Sequence, residues 1–499
     1  MKTRLIIIYF LASSLLIANV FAQHRGDNLA FQGLSSENDV GVRSLAMGGA
    51  FTSINNDINS LFYNAAGLAD LEDIQITMAV NMYNKMWREN QTYRPNYTYI
   101  TLPLYLEGLY VPDPKNNGRL DHEVFAEQRL TTYKIDEPVT GADPFSEEAA
   151  DWEKKKNDFA LNNFAIAVPL NLANQKFVVA ASYETKYTVQ DFDRNDSHLD
   201  PFIGWDGYGA VERPTGNDSI RIDWSNYLRE RSGSVKNIRG AISYKVHKNI
   251  NIGLGLQSFS GETDDIQNLD RVGYFYLIGN NNMRFWYDNH DMHISGTSKY
   301  NSTAFNLGTI VTLSKFNVGL NVVAPYTIKR EWDYTTEITD DSGTQTSSKS
   351  GEDELKMPAT FTAGISFRPT DKFLISFDVE SIPFSQAEFN FASEDTTHRD
   401  WVDVTNIRFG LEYKPVEWMS VLAGYRNLPQ TFVPDGAAFT DRGPGADSFT
   451  FGISADVFVG RLDVAYEIRR LKYYDSYLSN TNYVLEKFNN LLVSLTVGL

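Results

Sequence analysis

Residues 461–469 read Arg461-Leu462-Asp463-Val464-Ala465-Tyr466-Glu467-Ile468-Arg469. Leu462, Val464, Tyr466 and Ile468 are apolar, and the residues between them are small or charged. Successive side chains of a strand point to opposite faces, so this stretch is a strand with one oily and one polar face. The pattern recurs along the chain. Phe177, Val179, Ala181, Tyr183, Thr185, Tyr187 and Val189 alternate with Val178, Ala180, Ser182, Glu184, Lys186, Thr188 and Gln190. Phe361, Ala363, Ile365 and Phe367 form another such set, and Ile407, Phe409, Leu411 and Tyr413 a further one.

A soluble β-sandwich also alternates, so the connections decide between the two. The pattern gives 14 candidate strands, near 74–84, 162–172, 174–190, 235–246, 248–260, 302–315, 316–336, 357–369, 371–385, 403–414, 416–428, 447–458, 460–475 and 487–499. Most have the roughly 10 residues that a tilted strand needs to cross a bilayer. Their connections alternate between short turns, as at 172–174, 247–249, 314–316, 369–371 and 415–416, and long stretches, at 85–161, 191–234, 261–301, 337–356, 386–402, 429–446 and 476–486. Short turns on one rim and long loops on the other belong to membrane barrels, and a sandwich gives no reason for them. The expected fold is an all-β transmembrane barrel of about 14 antiparallel strands, with both termini on the short-turn, periplasmic side.

The faces follow from the bilayer. A cation turned to lipid at the midplane costs about 2–4 kcal/mol, so the oily face looks outward and the polar face lines the lumen. Glu184, Lys186, Arg368, Asp378, Glu380, Arg408, Glu412, Arg426, Asp463, Glu467 and Arg469 are therefore expected inside, as salt-bridge networks of mixed sign.

Composition narrows the function. The net charge of −18 argues against a nucleic-acid partner, which wants a basic face. With no Cys there is no disulfide, thiolate metal site or Cys nucleophile. The 27 Tyr and 31 Phe suit interfacial girdles. His290-Asp291-x-His293 lacks a third ligand at useful spacing. Asp191, Asp193 and Asn195 begin like a calcium loop, but Asp196 and Phe202 stand where Gly and Glu are needed. No His has the Ser partner of a hydrolase. No enzyme activity, metal or cofactor is expected.

Lys2 and Arg4 precede an apolar run and Val20-Phe21-Ala22, which reads as a signal peptide over 1–22. No later run of about 18 apolar residues would make a spanning helix. The end, Leu491, Val493, Leu495, Val497 and Leu499, resembles the signal read by the barrel insertion machinery. Helices are expected in two loops, at 143–156 and 223–231, the first with acids in its first turn and bases in its last.

Residues 23–73 do not alternate. They are rich in small residues and moderately apolar, unlike a disordered tail. A 14-stranded lumen is too wide for side chains to fill, which suggests a plug here and a barrel over 74–499. The run Gly41-Val-Arg43-x-x-Ala46-x-Gly48-Gly49-Ala50, then Asn56-Asp57, then Asn64-Ala65-Ala66-Gly67-Leu68, resembles the hatch of the FadL/TodX family of long-chain fatty-acid and hydrocarbon transporters. Gly364-Ile-Ser-Phe-Arg-Pro369 with Asp378-Val379-Glu380, and Phe409-Gly410-Leu-Glu412-Tyr413 with Ala423-Gly424-Tyr425-Arg426, are similar too. Ala65 departs from it, standing where the family has Pro.

The resemblance implies an outer-membrane transport protein of a Gram-negative bacterium. Its ligand is a hydrophobic small molecule such as a long-chain fatty acid, and its surroundings are outer-membrane lipid. Gly48, Gly49, Phe51, Phe62 and Asn64 are the candidates for contact between hatch and ligand pocket. The ligand is expected to leave sideways through a gap made by an inward kink in the third strand, although no Gly or Pro between Lys176 and Gln190 marks one. The alternative is a barrel of the same superfamily that serves protein secretion by holding a partner at the cell surface.

Overall fold

The computed structural model describes residues 40–93, 143–172, 175–195, 202–203, 218–278, 282–392, 401–434, 443–477 and 480–499. The signal peptide over 1–22 and the first part of the expected hatch lie outside the described residues.

Fourteen antiparallel strands form the wall. They are β1 (Gln75–Tyr93), β2 (Trp152–Leu172), β3 (Gln175–Asn195), β4 (Asp218–His247), β5 (Ile250–Ile278), β6 (Asn282–Leu313), β7 (Phe316–Val323 and Tyr326–Asp340), β8 (Gly343–Met357 and Thr360–Thr370), β9 (Phe373–Ile382 and Glu388–Phe391), β10 (Val404–Val416), β11 (Met419–Pro429), β12 (Gly445–Val457), β13 (Gly460–Tyr477) and β14 (Asn480–Gly498). Three of them are each interrupted once. Pro325, Pro358 and Pro383 sit in the breaks, where a residue without an N–H cannot donate to the ladder. β1 pairs with β14 from Gln75↔Gly498 to Tyr93↔Asn480, which closes the sheet. Closure leaves no lipid-exposed edge at the seam. Among the described residues no helix is long and apolar enough to cross a membrane.

The faces divide as lipid requires. Ile238, Ile242, Ile252, Leu254, Leu256, Phe305, Leu307, Phe361, Ile365, Phe449, Phe451 and Ile453 are exposed on the outer wall. Asn237, Arg239, Ser243, Asn251 and Gln257 from the same strands are buried inside. Near the short turns, stacked aromatic pairs ring the exterior: Phe177 on Tyr244 at 4.8 Å, Phe316 on Phe367 at 4.4 Å and Phe373 on Tyr413 at 4.6 Å. Such rings favour the headgroup boundary, where an amphipathic or polarisable group meets both lipid and water.

Two expectations are corrected. β4, β5 and β6 have 30, 29 and 32 residues, far more than a crossing needs, so much of the expected loops at 191–234 and 261–301 is strand. The expected loop at 337–356 is likewise mostly a hairpin. Beyond the lipid the bilayer no longer dictates which residues alternate along a strand. Neither expected helix is present. Residues 144–149 form turns and 152–156 enter β2, where Trp152↔Glu89 begins a ladder with β1. Residues 223–231 lie in β4, paired with β5 from Asp223↔Tyr274 to Arg231↔Asp265. Long-range strand partners outweigh local helix propensity here.

The N-terminal segment threads the ring. Val42–Ala46 forms a short helix α1, Ser60–Tyr63 a single turn α2, and Ala65–Asp70 a 3₁₀ turn, and most of their side chains are buried. Val42, Leu45, Met47, Phe51 and Ile54 pack against inward residues of β1, β9, β11, β13 and β14, namely Ala79, Leu374, Leu422, Ala465 and Leu492. Ile58, Leu61, Leu68 and Leu71 pack on Ala165, Ala167, Val178, Ala180 and Ala241 of the adjoining β2, β3 and β4. Small residues on the wall leave the plug its room.

Leu254 faces lipid in mid-strand, while Gln257 of the same strand faces the lumen. Leu254→Arg should destabilise the barrel by about 2–4 kcal/mol, and Gln257→Arg by clearly less. Urea-dependent refolding into lipid vesicles measures both.

Candidate functional site

The segment from residue 40 is fixed to the wall by polar contacts as well as packing. Gly48 takes a left-handed φ of 64°, and a Cβ on it would meet the Phe409 carbonyl oxygen at 2.7 Å. Opposite it a Cβ on Gly424 would meet Gly48 N at 2.1 Å, so the two backbones touch only because neither residue has a side chain. Gly49 lies beside the Arg408 side chain. Phe51 is fully buried, with its ring 5.9 Å from Tyr63 and 5.8 Å from the Arg43 guanidinium. Phe51 N and Thr52 N donate to Asp378 Oδ2 at 2.9 and 2.8 Å. Asn64 is a hub: Oδ1 accepts from Ala66 N at 3.1 Å, and Nδ2 donates to the Thr52 carbonyl at 2.8 Å and the Thr309 carbonyl at 3.2 Å. Phe62 is half-buried, with Arg239 5.9 Å from its ring.

Below the plug, at the short-turn end, lies a cavity of about 320 Å³. Arg43, Arg368, Lys414, Glu412, Asp456 and Arg461 are among its lining residues. Arg368 is therefore at this mouth and largely exposed rather than inside the lumen. The cavity is too polar for an oily ligand. It borders the ion pairs that hold the plug. Arg43 bonds Asp57 at 2.7 Å and also Glu412, and Arg461 reaches Asp57 at 3.1 Å. Burial alone would raise the Asp57 carboxyl. Arg461, Arg43 and two hydrogen bonds from Asn59 overcome that and hold it well below the usual carboxylate range.

Above the plug the lumen changes character. Tyr187, Val189, Val235, Phe259, Tyr300, Ile328, Leu355, Phe389 and Phe391 form a buried apolar cluster. Ion pairs flank it: Glu184 with Arg239 at 2.8 Å, Arg231 with Asp265 at 2.8 Å, and Arg330 with Asp353. Lys186 is buried, with Nζ 5.1 Å from the Phe259 ring centroid and 5.4 Å from that of Tyr187. Arg426 pairs with Glu467, Arg408 with Glu380, and Arg469 lies 4.4 Å from the Phe488 ring centroid.

One part of the wall is open, and residue-type reasoning missed it. β2 and β3 pair only from Leu172↔Gln175 to Asn163↔Glu184. Beyond that rung β2 continues on β1 alone, to Trp152, and β3 continues on β4 alone, to Asn195. The β3–β4 register shifts between Thr185 and Tyr187, a one-residue bulge at Lys186. A bulge bends its strand and re-aims the side chains after it. Tyr183 is accordingly exposed outside, while Tyr187 and Val189 enter the luminal cluster. Upper β3 leans behind β2, against the inner face of β1: Gln190 Nε2 donates to Tyr83 Oη at 2.8 Å, and Lys85 Nζ to the Gln190 carbonyl at 3.2 Å. A bulge needs neither Gly nor Pro, so composition gave no sign of it.

The height of this window follows from the outer face. The rungs Met78↔Phe164 and Met82↔Phe159 are apolar and exposed, and the next outward rung is Asn84↔Asn157, joined side chain to side chain. The sill at Asn163 thus lies four residues below the upper edge of the oily band, roughly 10 Å along a tilted strand. At the sill Thr185 Oγ1 donates to the Leu161 carbonyl at 2.8 Å across the gap.

The described residues thus form a closed antiparallel barrel with an N-terminal segment inside it, an apolar luminal cluster and a parting between two neighbouring strands. Residues 226–453 match the family model described as outer membrane protein transport protein (OMPP1/FadL/TodX), so the resemblance to the FadL/TodX family stands. A Pseudomonas aeruginosa FadL homologue shares the fold with a TM-score of 0.58 and 13% identity, over 93% of this chain and 98% of its own. The Pseudomonas putida toluene transporter TodX gives 0.54 and 13%, over 92% and 98%. The CymD monoaromatic hydrocarbon channel gives 0.51 and 13%, over 92% and 97%. No curated protein sequence matches.

Asp57→Asn would leave Arg43 and Arg461 buried with less counter-charge, and a loss of about 3–5 kcal/mol is expected from breaking such a pair. Unfolding by guanidinium should show it. The native Asp57 carboxyl is depressed, so its contribution is complete above the free carboxyl value of about 4 and is lost as pH falls below that. The wild-type unfolding midpoint should therefore fall below pH 4, and that of Asp57→Asn should fall less.

Proposed function

We propose that this protein admits a hydrophobic small molecule passively into the outer membrane, through the luminal apolar cluster and out of the wall between β2 and β3. The window carries the reading. It joins buried Tyr187 and Val189 inside to a gap whose sill lies within the oily band. An apolar ligand moving from water into the cluster gains roughly 25 cal/mol per Å² buried, and moving on into lipid keeps that gain, so no energy source is needed. Monoaromatic hydrocarbons, carried by TodX and CymD, and long-chain fatty acids both fit the chemistry of the cluster. The protein then resides in the outer membrane of a Gram-negative cell, after removal of residues 1–22, with residues 23–73 as its hatch and half-buried Phe62 as the hatch aromatic that can reach a ligand, while Phe51 serves to pack the hatch on the wall.

Deleting Lys186 removes the extra residue of the bulge and lets β3 continue its ladder on β2. Uptake of radiolabelled toluene and of radiolabelled oleate by cells making this variant should fall to the level of cells without the protein. The wild-type protein should raise uptake of at least one of them. Equal uptake with and without the wild-type barrel would sink the transport reading, and co-purification of a secreted protein with a lipid-free barrel would favour the secretion role.

A further inference from the structure

Unpaired strand edges in a sheet tend to find each other, so something must keep upper β3 away from β2. The bulge at Lys186 starts the divergence, but nine residues of β3 follow it, to Asn195. Near their far end Phe192 is held from three sides. The Trp152 ring of β2 packs edge-on at 5.2 Å, the Trp87 ring of β1 lies at 6.3 Å, and Lys154 Nζ of β2 stands 4.8 Å from the ring centroid. Trp152 Nε1 also donates to the Arg194 carbonyl at 3.0 Å. These contacts join β3 to β1 and β2 by side chains and to β2 by one indole, with no backbone ladder between β2 and β3 at this height.

We propose that Phe192 is a positioning residue for lateral release: its seat between Trp87 and Trp152 holds upper β3 behind β2 and so keeps the window open. If the register of the last paired rung, Asn163↔Glu184, continued upward, Phe192 would stand opposite Lys155. The ring would then have to leave its seat, so the seated and paired states exclude each other. Two aromatic contacts and a cation over the same ring act together to bias two arrangements of one strand. The inference rests on the proposed use of the window, but the clasp can be tested without any ligand.

The chain has no native Cys, so paired labels report one distance. Lys155→Cys and Asp193→Cys place nitroxides on side chains that are 60% and 42% exposed on the two sides of the gap. Double electron–electron resonance in nanodiscs should give one main distance for the otherwise native barrel. Phe192→Ala should add a population shorter by about one strand spacing, about 5 Å. Trp152→Ala, which leaves β3 untouched, should shift the distance the same way. Phe192→Tyr should keep the native distance. Unchanged distances in both alanine variants, or an equal shift with Phe192→Tyr, would overturn the clasp. Toluene and oleate uptake measured on the same variants separates the two ideas: a wild-type barrel without uptake whose alanine variants still close defeats the transport reading and leaves the clasp standing.

Discussion

A backbone group in hydrocarbon cannot turn to water, and each one left unpaired there costs several kcal/mol. That constraint shapes the whole molecule. It closes β1 onto β14 through 19 paired positions, and it keeps β2 and β3 paired up to a sill roughly 10 Å below the upper edge of the oily band. Where the parting does begin inside the band, the Leu161 carbonyl is satisfied by a hydroxyl from the far side, Thr185, which in turn accepts from Lys236 at 2.8 Å. The wall opens only as far down as side chains can stand in for the missing ladder.

The same economy governs the interior. Charges that could not face lipid point inward, and there they must be neutralised without bulk water. The plug brings Arg43 and Asp57 to meet Glu412 and Arg461 of the wall, and presents two backbone amides to Asp378. Plug and barrel therefore share one set of counter-charges. Above them the lumen is lined by aromatic and branched side chains, and below them by a charged cavity. The plug separates an oily chamber from a charged one, a division that suits the proposed release of an apolar solute through the wall.

Strand number, face direction and the inward placing of Glu184, Lys186, Arg426 and Glu467 were legible in the sequence because lipid imposes period two on each crossing. Where the lipid ends, that imposition ends too. The upper parts of β4, β5 and β6 run on well past the ten or so residues of a crossing and read as loops, and residues 152–156 read as the end of a helix. The glycines at 48 and 49 stood out as contact candidates of the hatch, but their partners, Gly424 and Arg408, emerge only from the register. The bulge at Lys186 had no compositional mark at all. It is an offset between two ladders, and an offset exists only once both partners are known.

The stacked aromatic pairs at Phe177–Tyr244, Phe316–Phe367 and Phe373–Tyr413 all stand on the short-turn rim. They moor the barrel from beneath, so its vertical seating is referenced to the inner leaflet. The height of the β2–β3 window relative to the outer leaflet is then set by membrane thickness. In a thin bilayer the sill would rise toward the aqueous boundary, and in a thick one it would sink among acyl chains. Under the proposed function the lipid itself becomes a variable of release, and cells that remodel their envelope would retune it without altering a residue of the protein.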